Sequence, residues 1–146
     1  VYDGVHSNQI SFPGGKEDDA DSDIYDTALR ETHEEVGISP NKIRILGALS
    51  NLYISVSNLL VTPIVGYMNK LEKLNPDSHE VEYCMHFNLR KLTAASNNGI
   101  IKNTMMDFET GKRSVPYYDF NNETIWGATA MILSEFSEIL RRINLD

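Results

Sequence analysis

The sequence predicts an α+β fold, with helices packed on a mixed β-sheet, and three observations predict it. Residues 24–36 place apolar side chains at helical spacing between a run of capping residues and a glycine. Residues 43–68 and 81–87 are rich in β-branched or alternating apolar residues, the pattern of strands. A second amphipathic stretch, residues 125–142, follows them. Strands bunched between two long helices favour segregated layers over a regular strand–helix alternation.

Each element has a local reason. Gln9, Ile10, Ser11 and Phe12 read as a short strand that stops at Pro13-Gly14-Gly15, a strong break. Residues 16–23 are polar and mostly acidic, hence a loop. Asp21, Ser22 and Asp23 are all good helix N-caps, and Asp26 follows Asp23 as in a weak capping box. The helix then buries Tyr25, Leu29, Thr32 and Val36, with Ile24 and Ala28 widening the stripe. Gly37 suits a left-handed C-terminal cap, and Pro40 forbids continuation. Residues 43–49 and 52–68 read as strands broken near Ser57-Asn58 and Pro63, followed by a polar connection over 69–79. Val81, Tyr83, Met85 and Phe87 alternate with Glu82, Cys84, His86 and Asn88, which predicts a half-buried strand. Residues 89–96 predict a short helix, and 104–109 with 115–120 a hairpin around Thr110-Gly111. After a turn at Asn121-Asn122, the last helix runs over 125–142 with Ala128, Ile132, Phe136, Ile139 and Leu140 on one face.

Composition narrows the function. The 146 residues suit one domain spanning 1–146, and 41% hydrophobic with 23% charged residues excludes a disordered chain. With 21 acidic and 13 basic residues the net charge is −8, a poor match to nucleic acid or to an anionic membrane surface. No apolar run approaches the length of a membrane span. The single cysteine, Cys84, excludes an intrachain disulfide and makes a reducing compartment the default. A cytoplasmic location is the simplest expectation.

The informative segment is Arg30-Glu31-Thr32-His33-Glu34-Glu35-Val36-Gly37. On a helix, Glu31, Glu34 and Glu35 share one face, at spacings where like charges repel by about 0.2–0.5 kcal/mol per pair. Two readings fit. One is a solvated acidic face, although such faces normally carry Lys at i+4. The other is a site for a hard cation, since Mg²⁺ and Mn²⁺ take carboxylate and carbonyl oxygens beside phosphates.

The context of the triplet resembles the Nudix box, G-x5-E-x7-R-E-x2-E-E-x-G. Arg30 to Gly37 matches in full, and Gly15 with Asp21 fits the G-x5-acid part, with Asp in place of Glu and one extra residue before Arg30. His6-Ser7-Asn8-Gln9-Ile10-Ser11-Phe12-Pro13-Gly14-Gly15-Lys16 and the acidic loop are similar to the coenzyme A diphosphatase branch of that family, with Asn8 where glycine is usual. Val115-Pro116-Tyr117-Tyr118 and Ile125-Trp126-Gly127-Ala128-Thr129-Ala130 are similar to the end of that branch.

The resemblance implies a Nudix fold and hydrolysis of a nucleoside diphosphate linked to another moiety. The leading substrate is coenzyme A or an acyl derivative, giving 3′-phospho-AMP and 4′-phosphopantetheine. The rivals are ADP-ribose, NADH or another nucleotide as substrate, and a Nudix-like domain that binds a nucleotide without hydrolysis. It also implies Mg²⁺ or Mn²⁺ held by Glu34, Glu35, Glu31 and the Gly15 carbonyl. Divalent ions neutralise the diphosphate and acidify water. Glu31, Glu34 and Arg30 are the catalytic candidates, with Arg30 expected to pair with Asp21 and fix loop to helix. Lys16, Gly14 and Glu80 are the substrate-binding candidates. His33, about 100° round the helix from its neighbours, is expected on the surface. Tyr117, Tyr118 and Trp126 are expected to pack rather than stack on adenine. The chain opens on Val1 in mid-loop, so it reads as an N-terminally truncated domain, its missing strands supplied upstream or by a second copy in a homodimer.

Overall fold

The computed structural model describes residues 9–94, 101–108 and 111–143, and the chain divides into two compact units after Met85. The fold is α+β.

In the first unit, helix α1 (Ile24–Val36) begins where the Asp23 carboxylate accepts the Tyr25 and Asp26 amides at 2.8 and 3.0 Å. It ends at Gly37, whose φ of 75° is left-handed and whose amide reaches the His33 carbonyl. Both caps are local, which is why the sequence places them well. Thr27 and Val36 are buried, while Ile24 lies exposed at the first turn. A 3₁₀ turn (Pro40–Lys42) leads into β1 (Arg44–Ala48). Strands β2 (Leu52–Ile54) and β3 (Leu59–Val61) form a hairpin whose turn holds Asn58 at φ 52°. Strand β4 (Ile64–Tyr67) returns antiparallel to β1, pairing Arg44 with Tyr67 and Ala48 with Ile64 across a bulge between Ile45 and Gly47.

In the second unit, α2 (Leu89–Thr93) starts at Asn88, whose side chain caps the Arg90 amide. Strands β5 (Ile101–Phe108), β6 (Gly111–Phe120) and β7 (Glu123–Ile125) form one antiparallel sheet. The β6–β7 turn uses Asn121 and Asn122 at φ 54° and 70°, the left-handed pair that a tight two-residue hairpin requires. Helix α3 (Gly127–Arg142) follows. Leu92, Tyr118, Phe120, Ile125, Leu133 and Leu140 form the core, and the Phe87 and Tyr118 rings each stack on Phe120, with centroids 4.9 and 5.8 Å away.

Several expectations need correction. All the ladders among the described residues are antiparallel and fall into three small sheets, not one mixed sheet. The connections within the β2–β3, β5–β6 and β6–β7 pairs are too short for a parallel crossover, which takes a dozen residues or more. Residues 9–12 and 81–87 are not strands. Alternation specifies a face but not a ladder partner. Here Phe12 and Tyr83 are exposed, and the Val81 amide closes a turn on the Asp77 carbonyl. Helix α3 starts at Gly127, because Ile125 belongs to β7. Its buried positions are Leu133, Ser137 and Leu140, with Ile139 exposed. Ser137 is inward because its hydroxyl donates to the Leu92 carbonyl at 3.3 Å. The hairpin is longer than expected at both strands, and Ser96, Glu109 and Thr110 lie outside the described residues. No helix among the described residues is long and apolar enough to cross a membrane.

Candidate active site

Arg30 is the organising side chain. Its Nε donates to Asp21 Oδ1 at 3.0 Å, and Nη2 donates to Asp21 Oδ2 and to the Lys16 carbonyl, both at 3.0 Å. Its Nη1 donates to Glu31 Oε1 at 2.8 Å and Glu34 Oε2 at 2.9 Å. The planar guanidinium fork suits this double role, since it presents fixed donors in several directions at once. One side chain thereby ties the acidic loop to two of the three glutamates, and the Arg30–Asp21 pair expected from the sequence is present.

Asp21 is the fixed end of this arrangement. Its side chain is 5% exposed, against 15% for Glu31, 28% for Arg30 and 54% for Glu34. Asp21 Oδ2 also accepts the Thr27 hydroxyl and the Asp18 amide, each at 2.9 Å. Thr27 is a buried polar residue of α1, so its hydroxyl brings the loop down on the helix. The Arg30 guanidinium, with help from the backbone at Asp18 and the Thr27 hydroxyl, holds the Asp21 carboxyl well below the usual carboxylate range. Arg30 is correspondingly raised, first by Asp21 and then by Glu31.

The two glycines have different jobs. The Gly14 amide donates to Glu35 Oε1 at 3.1 Å. Gly15 faces Glu31: a β-carbon there would stand 2.2 Å from Glu31 Oε1 and 2.5 Å from its carboxyl carbon. Gly14 has open space at the same position. The glycine turn therefore lies against the carboxylate face of α1, as the box spacing requires.

Glu35 has a raised pKa. Its half-buried position is the main cause, opposed by the Gly14 amide and reinforced by the charges of Glu31, Glu80 and Glu34. Glu80 lies 45 residues further along the chain than Glu35. It arrives on a turn packed against the end of α1: the Asn75 amide donates to the Val36 carbonyl and the Asp77 amide to the Glu35 carbonyl, both at 2.9 Å. The sequence shows a polar connection over 69–79 but not what it docks on. Lys16 meets the site through its carbonyl, with its side chain exposed. His33 is exposed and, with Glu34, Gly37 and residues 75–79, lines an open depression of about 530 Å³.

The donor chemistry suits a hard cation. Glu31, Glu34 and Glu35 each have one oxygen engaged, by Arg30 or by Gly14. Their other oxygens, Oε2, Oε1 and Oε2 respectively, take no hydrogen bond among the described residues. Those residues do not gather three ligands into a ready cage, but a magnesium-type ion needs only one or two carboxylates besides substrate oxygens.

A glycine turn, an acidic loop and a helix carrying Arg-Glu-x-x-Glu-Glu on one side define a diphosphate-hydrolysing domain. The sequence profile described as NUDIX domain matches residues 3–108, and the chain belongs to the Nudix family. It is a Nudix hydrolase, an enzyme of the pyrophosphatase class. The chain is 33% identical over 134 residues to the Nudix hydrolase NudL of Pectobacterium atrosepticum, covering 90% of this chain and 67% of that protein. It is 33% identical over 139 residues to the mitochondrial coenzyme A diphosphatase NUDT8 of Homo sapiens, covering 92% of this chain and 56% of that protein. A shorter match, 39% over 74 residues, joins it to the peroxisomal coenzyme A diphosphatase NUDT7 of Mus musculus, covering 51% of this chain and 31% of that protein.

Proposed function

We propose that this chain hydrolyses the phosphoanhydride of coenzyme A or an acyl-coenzyme A in the presence of Mg²⁺ or Mn²⁺, releasing 3′-phospho-AMP and the 4′-phosphopantetheine moiety. The observation that carries the chemistry is the Arg30 node, which fixes two of three clustered glutamates against a glycine turn. The substrate rests on the likeness to two proteins named coenzyme A diphosphatases.

The residues divide the work. Glu34 and Glu35, with the Gly15 carbonyl, hold the divalent cation, which supplies neutralisation of the diphosphate oxygens and activation of water. Glu31, held by Arg30, orients the attacking water and takes its proton at Oε2, the oxygen that Arg30 leaves open. Arg30 is a positioning residue: it sets Glu31 and Glu34 and anchors the loop through Asp21. Lys16 and Gly14 border the phosphate path, and Glu80 adds a further negative charge for Glu35 to meet. Bringing these groups together makes attack on the anhydride effectively intramolecular.

The test is product analysis with coenzyme A, ADP-ribose and NADH side by side. Coenzyme A should be consumed fastest, with 3′-phospho-AMP as the nucleotide product. Preferential cleavage of ADP-ribose or NADH to AMP would overturn the substrate and leave the reaction class.

A further inference from the structure

A helix leaves its last carbonyls without intrahelical partners. In α1, Gly37 takes the His33 carbonyl, and a distant segment takes two of those that follow: Asp77 that of Glu35 and Asn75 that of Val36, all at 2.9 Å. Gly37 is what admits this segment. A β-carbon there would stand 2.9 Å from Asn75 Cβ and 3.0 Å from its carbonyl oxygen. Asp77 then turns the chain. Its Oδ1 accepts the His79 amide at 2.9 Å, and its carbonyl accepts the amides of Glu80 at 3.1 Å and Val81 at 2.8 Å. Glu80 therefore hangs from a turn whose first residue is bonded to the backbone of Glu35.

The geometry points to a positioning strap: Asn75 to Asp77, seated on the Gly37 end of α1, holds Glu80 against the carboxylate cluster for the hydrolysis proposed above, on which this inference rests. Gly37 serves the reaction twice, as the helix cap and as the space the strap occupies. The strap belongs to the backbone, so nothing in its side-chain sequence announces it.

Gly37→Asn separates the two roles. Asparagine tolerates the left-handed conformation, so the cap survives, while the new β-carbon meets Asn75. Amide hydrogen exchange needs no substrate and reads the strap directly. The Asn75 and Asp77 amides should exchange at least about 10-fold faster than in the parent, with those of α1 up to Glu34 unchanged. Turnover should fall by roughly 10²-fold, chiefly in kcat, as for a misplaced catalytic group. In a Glu80→Gln background the same substitution should cost less than about 3-fold, because residues acting as a unit are not additive. Asp77→Ala spares the helix cap and should show the same non-additivity.

Activity is followed on whichever of coenzyme A, ADP-ribose and NADH is cleaved, so a wrong substrate assignment does not disturb the test. Unchanged protection of Asn75 and Asp77, equal kcat losses in both backgrounds, or a silent Glu80→Gln would each overturn the strap.

Discussion

Replacing Gly15 by alanine tests the site most directly. The added methyl carbon would lie 2.2 Å from Glu31 Oε1, whereas ordinary contact begins at 3.4 Å. Something must move by about 1 Å. If Glu31 moves, its 2.8 Å bond to Arg30 stretches beyond hydrogen-bonding range. If the turn moves instead, the 3.1 Å bond from Gly14 to Glu35 is lost. Either way a catalytic carboxylate is displaced by a distance that typically costs about 10²-fold in rate, or roughly 2.7 kcal/mol of barrier. The assay is kcat at saturating substrate and Mg²⁺, with a melting curve beside it. Gly14→Ala, whose methyl group meets open space, should leave the melting temperature unchanged. Near-parental kcat for Gly15→Ala would show that Glu31 need not stay where it is, and the mechanism would lose its water-orienting group.

Three further outcomes follow from the same site. Glu34→Gln and Glu35→Gln should each cost at least about 10²-fold in kcat, while His33→Ala changes it by less than about 3-fold; near-normal turnover of Glu35→Gln would refute its role as a ligand. Because folding lowers the Asp21 pKa, its bonds stabilise the protein above about pH 4 and lose that effect as pH falls towards the folded value. The melting temperatures of parent and Asp21→Asn should therefore differ near neutrality and converge in acid; a constant gap would mean that Asp21 acts by shape alone. Mg²⁺ or Mn²⁺ at 100 times its Kd should stabilise the parent by about 2.7 kcal/mol, roughly 5–10 °C, and Glu31→Gln/Glu35→Gln much less, whereas an equal rise in both would indicate screening of the net charge.

What the sequence could show was local. The α1 caps, its length and the carboxylate face depend on residues within about one turn of each other, and Asp23, Gly37 and the Glu31-Glu34-Glu35 spacing carry that information. Residues 81–87 mislead because alternation describes a side-chain pattern, while a strand also needs a neighbour. Helix α3 misleads for the opposite reason. Hydropathy cannot choose Ser137 for the core, because its place depends on a carbonyl 45 residues away. At the site, the donors and acceptors of Asn75, Asp77 and Glu35 are backbone groups, equivalent in every residue but proline. Only the fold says that they meet.

The Arg30 node also bears on one departure from the box pattern, the extra residue between Asp21 and Arg30. The guanidinium reaches both the Lys16 carbonyl and Asp21, nine residues upstream in the latter case. Since α1 begins only at Ile24, an insertion at residues 21–23 leaves the phase of Arg30 through Glu35 untouched. Closure entropy grows only with the logarithm of loop length, so one more residue in a loop of about eight costs about 0.1 kcal/mol. What the loop must satisfy is the reach of its acceptors to the guanidinium, not a residue count. Loops of differing length can thus be exchanged on this helix without re-tuning the carboxylates, provided that an acid returns to the place Asp21 occupies.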